Sequence, residues 1–290
     1  METLIFLLLC TFPVAITAGI FPLIQYRLRN RSRLPIEYAK SLRIPGFSLL
    51  VDLKSRQLNI AAYLGLCTTV SLIPFAQMGV FALFNKAFQS LLFTAPITFL
   101  IAGWLLVKII KNFRQLQSIR LGLEAEWAVA SELGQIKDPN VSVFHDVQGS
   151  NFNIDHVITS PKGIIAIETK GRRKPNSAAK EKSYRVTLKN DSLHFPHFTD
   201  KDTIRQAQRQ SKWLKEKLLT ATGEQKNVTP VVVIPGWFIE HKTKPSVLIW
   251  PLKKLRDNYR YGLKQNITME QLQRVNHQLT ILCQRNSDEF

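Results

Sequence analysis

The sequence has little cysteine and little acid. Three cysteines in 290 residues exclude a disulfide scaffold. None stands in a CxxC or Cys/His spacing that would hold zinc. Asp and Glu number 21 against 39 Lys and Arg, a formal net charge of +18. That balance favours anionic partners, either nucleic acid or the anionic face of a membrane. There is no P-loop, no GxGxxG and no Ser/His/Asp set with supporting context, and no internal repeat or low-complexity tract. With 45% apolar and 21% charged residues the chain is not disordered, and its length suggests about two units. The halves are unlike: residues 1–112 are hydrophobic with few acids, and residues 113–290 are polar and charged.

Charge is absent from three stretches of the first half, residues 3–24, 58–84 and 91–107. A bilayer core of ~30 Å needs roughly 20 apolar residues in a helix, so each stretch can span. Pro13, Pro22, Pro74 and Pro96 fall inside them and would kink soluble helices, but membrane helices tolerate them. Three such runs in 112 residues would overfill a soluble core. The expectation is therefore three transmembrane helices, at about 3–24, 58–84 and 91–110. Loop 25–57 carries Arg27, Arg29, Arg31, Arg33, Lys40 and Arg43 among eight basic residues, against Glu37 and Asp52. It is expected on the cytoplasmic side, with the N-terminus outside and the C-terminal domain inside. The loop can also contact anionic lipid. The rival for residues 1–19 is a cleaved signal peptide, but Glu2 is the only charge there and no basic start precedes the apolar run.

Beyond the last apolar run, residues 108–134 repeat apolar positions at three and four, which predicts one helix, with Gly122 a possible break. Short β-like runs follow at 141–147, 153–159, 164–170, 184–188, 228–234 and 246–250. A basic amphipathic helix is predicted over 202–219, and another helix over 269–283 with Thr268 and Gln271 as a capping box. Helix, strands, helix, strands, helix is an α/β domain with a mixed central sheet. The expected division is a membrane region 1–112, a domain 113–240 and a C-terminal strand-helix extension 241–290 packed on it.

Within this pattern the sharpest feature is Asp155 with Glu168 and Lys170. Ser160-Pro161-Lys162-Gly163 has turn chemistry, and a two-residue turn makes pairing positions sum to 323. Asp155 then faces Glu168, and Lys170 shares their face. A three-residue turn shifts the register by one and separates them. Both faces of this hairpin are apolar, so the carboxylates sit at the end of a buried hairpin and need a cation. A divalent ion with oxygen ligands, Mg²⁺ or Mn²⁺, answers that need. Lys170 can then contact phosphate or orient the attacking water. From spacing alone, an ordinary charged strand end with Lys170 paired to Glu168 remains the alternative.

Three segments in order, RLGLEAEWAVASEL (120–133), NIDHVITSPKGIIAIETKG (153–171) and DTIRQAQRQSKWL (202–214), resemble the NERD, or nuclease-related, domain. That family is similar to the PD-(D/E)xK restriction-endonuclease-like nucleases. The resemblance covers roughly residues 118–238. Ala125 stands where the pattern has Gly, and Thr203 where Pro often precedes the Gln helix. The resemblance implies a restriction-endonuclease-like α/β fold and metal-dependent phosphodiester hydrolysis, most readily of DNA. It implies Glu126, Asp155 and Glu168 as metal ligands, Lys170 as catalytic lysine and Gln206 as the polar residue of the late helix. Whether Glu124 or Glu126 points inward is open, with Glu126 favoured.

Around this core, Arg172, Arg173 and Lys174 follow the Lys170 strand, and Arg205 and Arg209 line the late helix. They are candidate phosphate contacts. His156 is expected to be packed and hydrogen-bonded. His194 and His197 are expected in a loop. Trp127 and Leu123 are expected to face the core. Two other function classes compete with the nuclease: a non-catalytic membrane-tethered nucleic-acid-binding module, and a membrane scaffold or signalling protein that uses the fold as an interaction surface.

Overall fold

The computed structural model describes residues 27, 41–84, 89–175, 184–261 and 265–285. The chain divides into two compact units. Leu53–Gln117 belongs to one, and Tyr38–Asp52 joins Ser118–Phe290 in the other.

Two long helices dominate the N-terminal half, α1 (Phe47–Phe84) and α2 (Gln89–Leu133). Both are long and apolar enough to cross a membrane. Phe75, Phe93, Phe99 and Leu100 are 70–75% exposed, which is the reverse of a soluble core helix. Pro74 and Pro96 sit inside the helices. The expected first span, residues 3–24, and loop residues 28–40 lie outside the described residues. Helix α1 starts at Phe47, so Lys54 and Arg56, expected in the loop, are helical. The 45 residues of α2 rise about 68 Å at 1.5 Å each, over twice a bilayer core. Its uncharged stretch ends at Val107, well before Glu124 and Glu126.

Gly122 does not break α2. A glycine interior costs a helix roughly 1 kcal/mol, but the backbone here is packed closely. A Cβ at Gly122 would lie 3.2 Å from Leu49 Cδ1, and Leu123 beside it is buried.

The α/β domain is built on β1 (Ser142–Gln148), β2 (Asn153–Ser160), β3 (Gly163–Thr169), β4 (Arg185–Lys189), β5 (Ser192–His194) and β6 (Thr199–Asp200). Then come α3 (Thr203–Thr222), β7 (Val228–Val233), β8 (Phe238–His241) and β9 (Leu248–Ile249). A 3₁₀ turn (Leu252–Lys254), α4 (Leu255–Tyr261) and α5 (Met269–Leu282) finish it. Among the described residues a mixed five-stranded sheet has the order β1-β2-β3-β7-β9. Its first three strands are antiparallel and its last three parallel. Strand β7 carries Pro230, which cannot donate to a ladder; Pro230 lies outside the β7/β9 pairing, which joins only Val231 and Val232 to β9. The turn holds two residues, Pro161 and Lys162, because Ser160 pairs with Gly163 and His156 with Ile167. That is the 323 register.

Helices cover both faces of this sheet. On one, Leu214 and Leu218 of α3 and Leu272, Val275 and Leu279 of α5 meet Val157, Ile164 and Ala166. On the other, Val129 and Leu133 of α2 and Leu255 and Tyr259 meet Ile158, Ile165 and Ile167. The predicted capping box at Thr268 and Gln271 is formed, with each side chain bonded to the other's backbone. A second sheet, β6-β5-β4-β8, is a structural addition to the sequence reading. It packs through Val186, Leu188 and Leu193 on Ile204 and Ala207 of α3. His194 is its β5 end and not a loop residue.

Segment 41–46 precedes α1 and is tied to the domain. Arg43 N donates to Cys283 O at 2.8 Å, and Leu42 bridges Gln284. Trp127 Nε1 donates to Pro45 O at 3.1 Å.

Candidate active site

The site forms where β2 begins and β3 ends, beside the start of α3 and the last turns of α2. Asp155 is one step beyond the His156–Ile167 pair and so stands opposite Glu168. Its Oδ2 accepts from Thr169 N at 2.6 Å. Glu168 is buried. Its Oε1 meets Lys170 Nζ at 2.6 Å, and its Oε2 accepts from Gln210 Nε2 at 2.6 Å. Lys170 Nζ also donates to Gln206 Oε1 at 3.0 Å. Gln206 therefore reaches the carboxylate pair through the lysine.

Of the two acids on α2, Glu126 turns inward and is 5% exposed. Glu124 is exposed and paired with Arg120 at 3.0 Å. The buried face of α2 runs Leu123, Glu126, Val129, Leu133, spaced three, three and four. That stripe excludes Trp127, which was expected in the core and is 46% exposed. Its indole instead lies over segment 41–46.

Gln210 was not anticipated. It is one helical turn after Gln206, buried on the same face, and bonds Asn153 O as well as Glu168. The Gln206/Gln210 spacing was the available signal. Asp146 and Arg43 were also missed. Asp146 is fully buried with φ +51. Arg43 Nη1 reaches it at 2.7 Å, Ser48 Oγ at 2.8 Å and Asn153 Nδ2 at 2.7 Å.

The electrostatics follow from burial. Burial pushes the Glu126 carboxyl up to about 8, and the charges of Asp146 and Glu168 add to it. Burial, then Glu168 and Glu126, holds Asp155 well above the usual carboxylate range. Burial also raises Glu168, with Lys170 opposing. Glu126 Oε2 is buried without a hydrogen-bond partner. Three buried acids thus share one nearby ammonium, which contacts Glu168. Among the described residues, no three His, Cys, Asp or Glu side chains gather closely enough to hold a metal.

The basic candidates separate. Arg172 is at the site, its Nη2 2.6 Å from Asp200 Oδ2. Lys170, Arg172, Phe198, Asp200, Thr203 and Gln206 contribute to a cleft of ≈ 410 Å³ beside Glu168. Arg173, Lys174, Arg205 and Arg209 are exposed and do not line that cleft. His156 is buried, as expected, with its Nδ1 2.8 Å from that of His145. Burial holds both rings neutral, His145 down to about 4.

The domain thus sets a buried Asp, a Glu-x-Lys and a glutamine-bearing helix on a mixed sheet. Residues 121–235 match the family model described as nuclease-related domain, NERD. That stretch of the chain is similar to the nuclease-related domain family, and two apolar helices able to cross a membrane stand at or before its start. No curated protein and no solved structure matches the chain.

Proposed function

We propose that the protein is a membrane-anchored, metal-dependent nuclease that hydrolyses phosphodiester bonds, most readily in DNA. The observation that carries the reading is the buried meeting of Glu126, Asp155, Glu168 and Lys170. Such a cluster is costly in a domain that only binds or scaffolds. A hard cation, Mg²⁺ or Mn²⁺, fits the donor chemistry: every donor is oxygen, and Glu126 Oε2 lacks a partner. Mg²⁺ commonly takes one or two carboxylates with substrate oxygens, so Asp155 and Glu168 suffice, with Glu126 close by. When bound, such an ion supplies Lewis-acid polarisation of the phosphoryl group and an acidified water.

The chain's own groups do the rest. Gln210 fixes Glu168 Oε2, and the Thr169 N–H fixes Asp155, so neither carboxylate rotates freely. Gln206 aims the Lys170 ammonium toward the cleft. There Lys170 offers protons to a phosphate oxygen or orients a water. Arg172, held by Asp200, supplies a second fixed cation for the backbone. Arg173, Lys174, Arg205 and Arg209 extend the positive surface outward. Residues 25–57 set a cytoplasmic site through their basic charge, and can meet anionic lipid.

The test uses the full chain in detergent with plasmid and single-stranded DNA, in Mg²⁺, Mn²⁺ or EDTA. Cutting that needs metal and disappears in Glu168→Ala and Lys170→Ala supports the reading. Salt-sensitive binding without cutting supports a tethered binding module instead. Neither supports a scaffold.

A further inference from the structure

The cleft beside Lys170 has one wall that phosphodiester chemistry does not call for. Phe198 is 45% exposed on it. The ring lies flat on Phe195, with centroids 4.5 Å apart and planes at 9°. Phe195 in turn meets Trp237 edge-on at 5.0 Å, and both are buried in the core between the second sheet and α3. Trp237 Nε1 donates to Arg172 O at 3.0 Å. The Arg172 guanidinium is pinned by Asp200 and lies over the Phe198 ring, its Cζ 5.7 Å from the centroid. The result is a half-exposed aromatic ring anchored in the core, with a fixed guanidinium over it and Lys170 on the same cleft. Single exposed aromatics are ordinary on protein surfaces. This one lines a cleft, is backed by two buried rings and shares that cleft with Lys170, Arg172 and Lys201.

We propose that this cleft is a subsite for an unpaired nucleobase, which stacks on Phe198 while its phosphate meets Arg172 and Lys170. The inference rests on the nuclease reading and adds the substrate class: nucleic acid that is single-stranded at the site. The reason is steric. In a duplex both faces of a base are covered by its neighbours, and only an unpaired or extruded base can offer a face to a protein ring. Stacking is indifferent to base identity, which agrees with the lack of any base-reading pattern in the sequence.

The experiment measures binding by the full chain in detergent micelles, with EDTA present to suppress cutting. The probe is a single-stranded oligonucleotide containing 2-aminopurine, alone and annealed to its complement. The single strand is expected to bind more tightly, with the 2-aminopurine emission quenched by stacking. Phe198→Ala should weaken single-strand binding about 5- to 150-fold, the equivalent of about 1–3 kcal/mol, and abolish the quench. Phe198→Trp should retain both. Binding and quench unchanged in Phe198→Ala would overturn the subsite, as would a duplex bound as tightly as the single strand. Cutting is scored separately in Mg²⁺. Phe198-dependent binding without cutting keeps the subsite and removes the nuclease. Metal-dependent cutting that is indifferent to Phe198 and to strandedness does the reverse. Absence of any binding removes the subsite.

Discussion

Arg43→Ala tests how firmly the segment before α1 belongs to the α/β domain. Asp146 is fully buried, and Arg43 is its only charged hydrogen-bond donor among the contacts described above. Truncating Arg43 leaves a buried carboxylate with two neutral donors, Ser48 Oγ and Asn153 Nδ2. Breaking a buried pair from one side costs about 3–5 kcal/mol, because the remaining charge stays desolvated. A domain of this size shifts its melting temperature by about 2–4 °C per kcal/mol, so the loss should be about 6–20 °C. Differential scanning fluorimetry of the full chain in detergent reads it. Arg43→Ala combined with Asp146→Asn removes both charges and should recover a good part of the loss. A melting temperature for Arg43→Ala within about 2 °C of wild type, or a double variant less stable than the single by the full cost of both, would refute the reasoning.

Three further outcomes follow from single contacts. Gln210→Ala frees Glu168 Oε2 and should cost about 1–3 kcal/mol of stability. Cutting should fall more steeply than with an exposed control such as Gln208→Ala, and equal loss in both would remove Gln210 from the site. Gly171→Ala places a Cβ 2.5 Å from Leu121 O, a backbone atom that cannot swing aside. It should push β3 off α2, lower the melting temperature and impair Lys170 function together; a fully stable, active variant contradicts that packing. Burial raises the Asp200 carboxyl, but hydrogen bonds from Thr203 N, Arg172, Thr203 Oγ1 and Asp202 N outweigh it and bring it down to about 2. A depressed carboxyl stabilises the fold above about pH 4, and the contribution vanishes as pH falls through about 2. Asp200→Asn should lose about 1 kcal/mol at neutral pH, after allowance for solvent screening, and almost nothing near pH 2.

The parts legible in the sequence were those set by local chemistry. Pro161 and Lys162 closed a two-residue turn, and that turn alone placed Asp155 opposite Glu168. The capping box at Thr268 marked a helix start to the residue. The reading strained where two registers of a helix were equally apolar. Leu123 and Trp127 were both expected to face the core, which left open whether Glu124 or Glu126 turned inward, with Glu126 favoured. A charged residue wins the inward position only when distant groups compensate it, and those groups are not neighbours in sequence. Gly46, whose N–H helps lower Glu126, and Asp146, which raises it, are both far along the chain. The second sheet was hidden for a different reason. Strands β5 and β6 hold three and two residues, too few for an alternation to register. Arg43 read as one more topology-setting charge, and only the fold gives it Asp146.

The charge balance of the site makes a final demand. Glu126, Asp155 and Glu168 are buried together, with Lys170 on Glu168. Without another cation, the remaining negative charge is relieved only by protons. A carboxyl whose folded value is raised favours folding while protonated. For Glu126 that contribution is complete below its ordinary value of 4.5 and lost as pH rises through about 8. Asp155 and Glu168 act in the same direction. In EDTA the protein should therefore lose melting temperature as pH climbs from about 5 to about 8, and Glu126→Gln should flatten that slope. A divalent ion competes with those protons, since ligand carboxylates must be ionised to bind it. Mg²⁺ should restore the melting temperature, by more at about pH 8 than at about pH 6, because the ion binds only the folded state. A profile in EDTA that is flat over this range and identical in Glu126→Gln would show that the cluster is already neutral by other means. An increment from Mg²⁺ that is absent at every pH would show that no ion takes the protons' place.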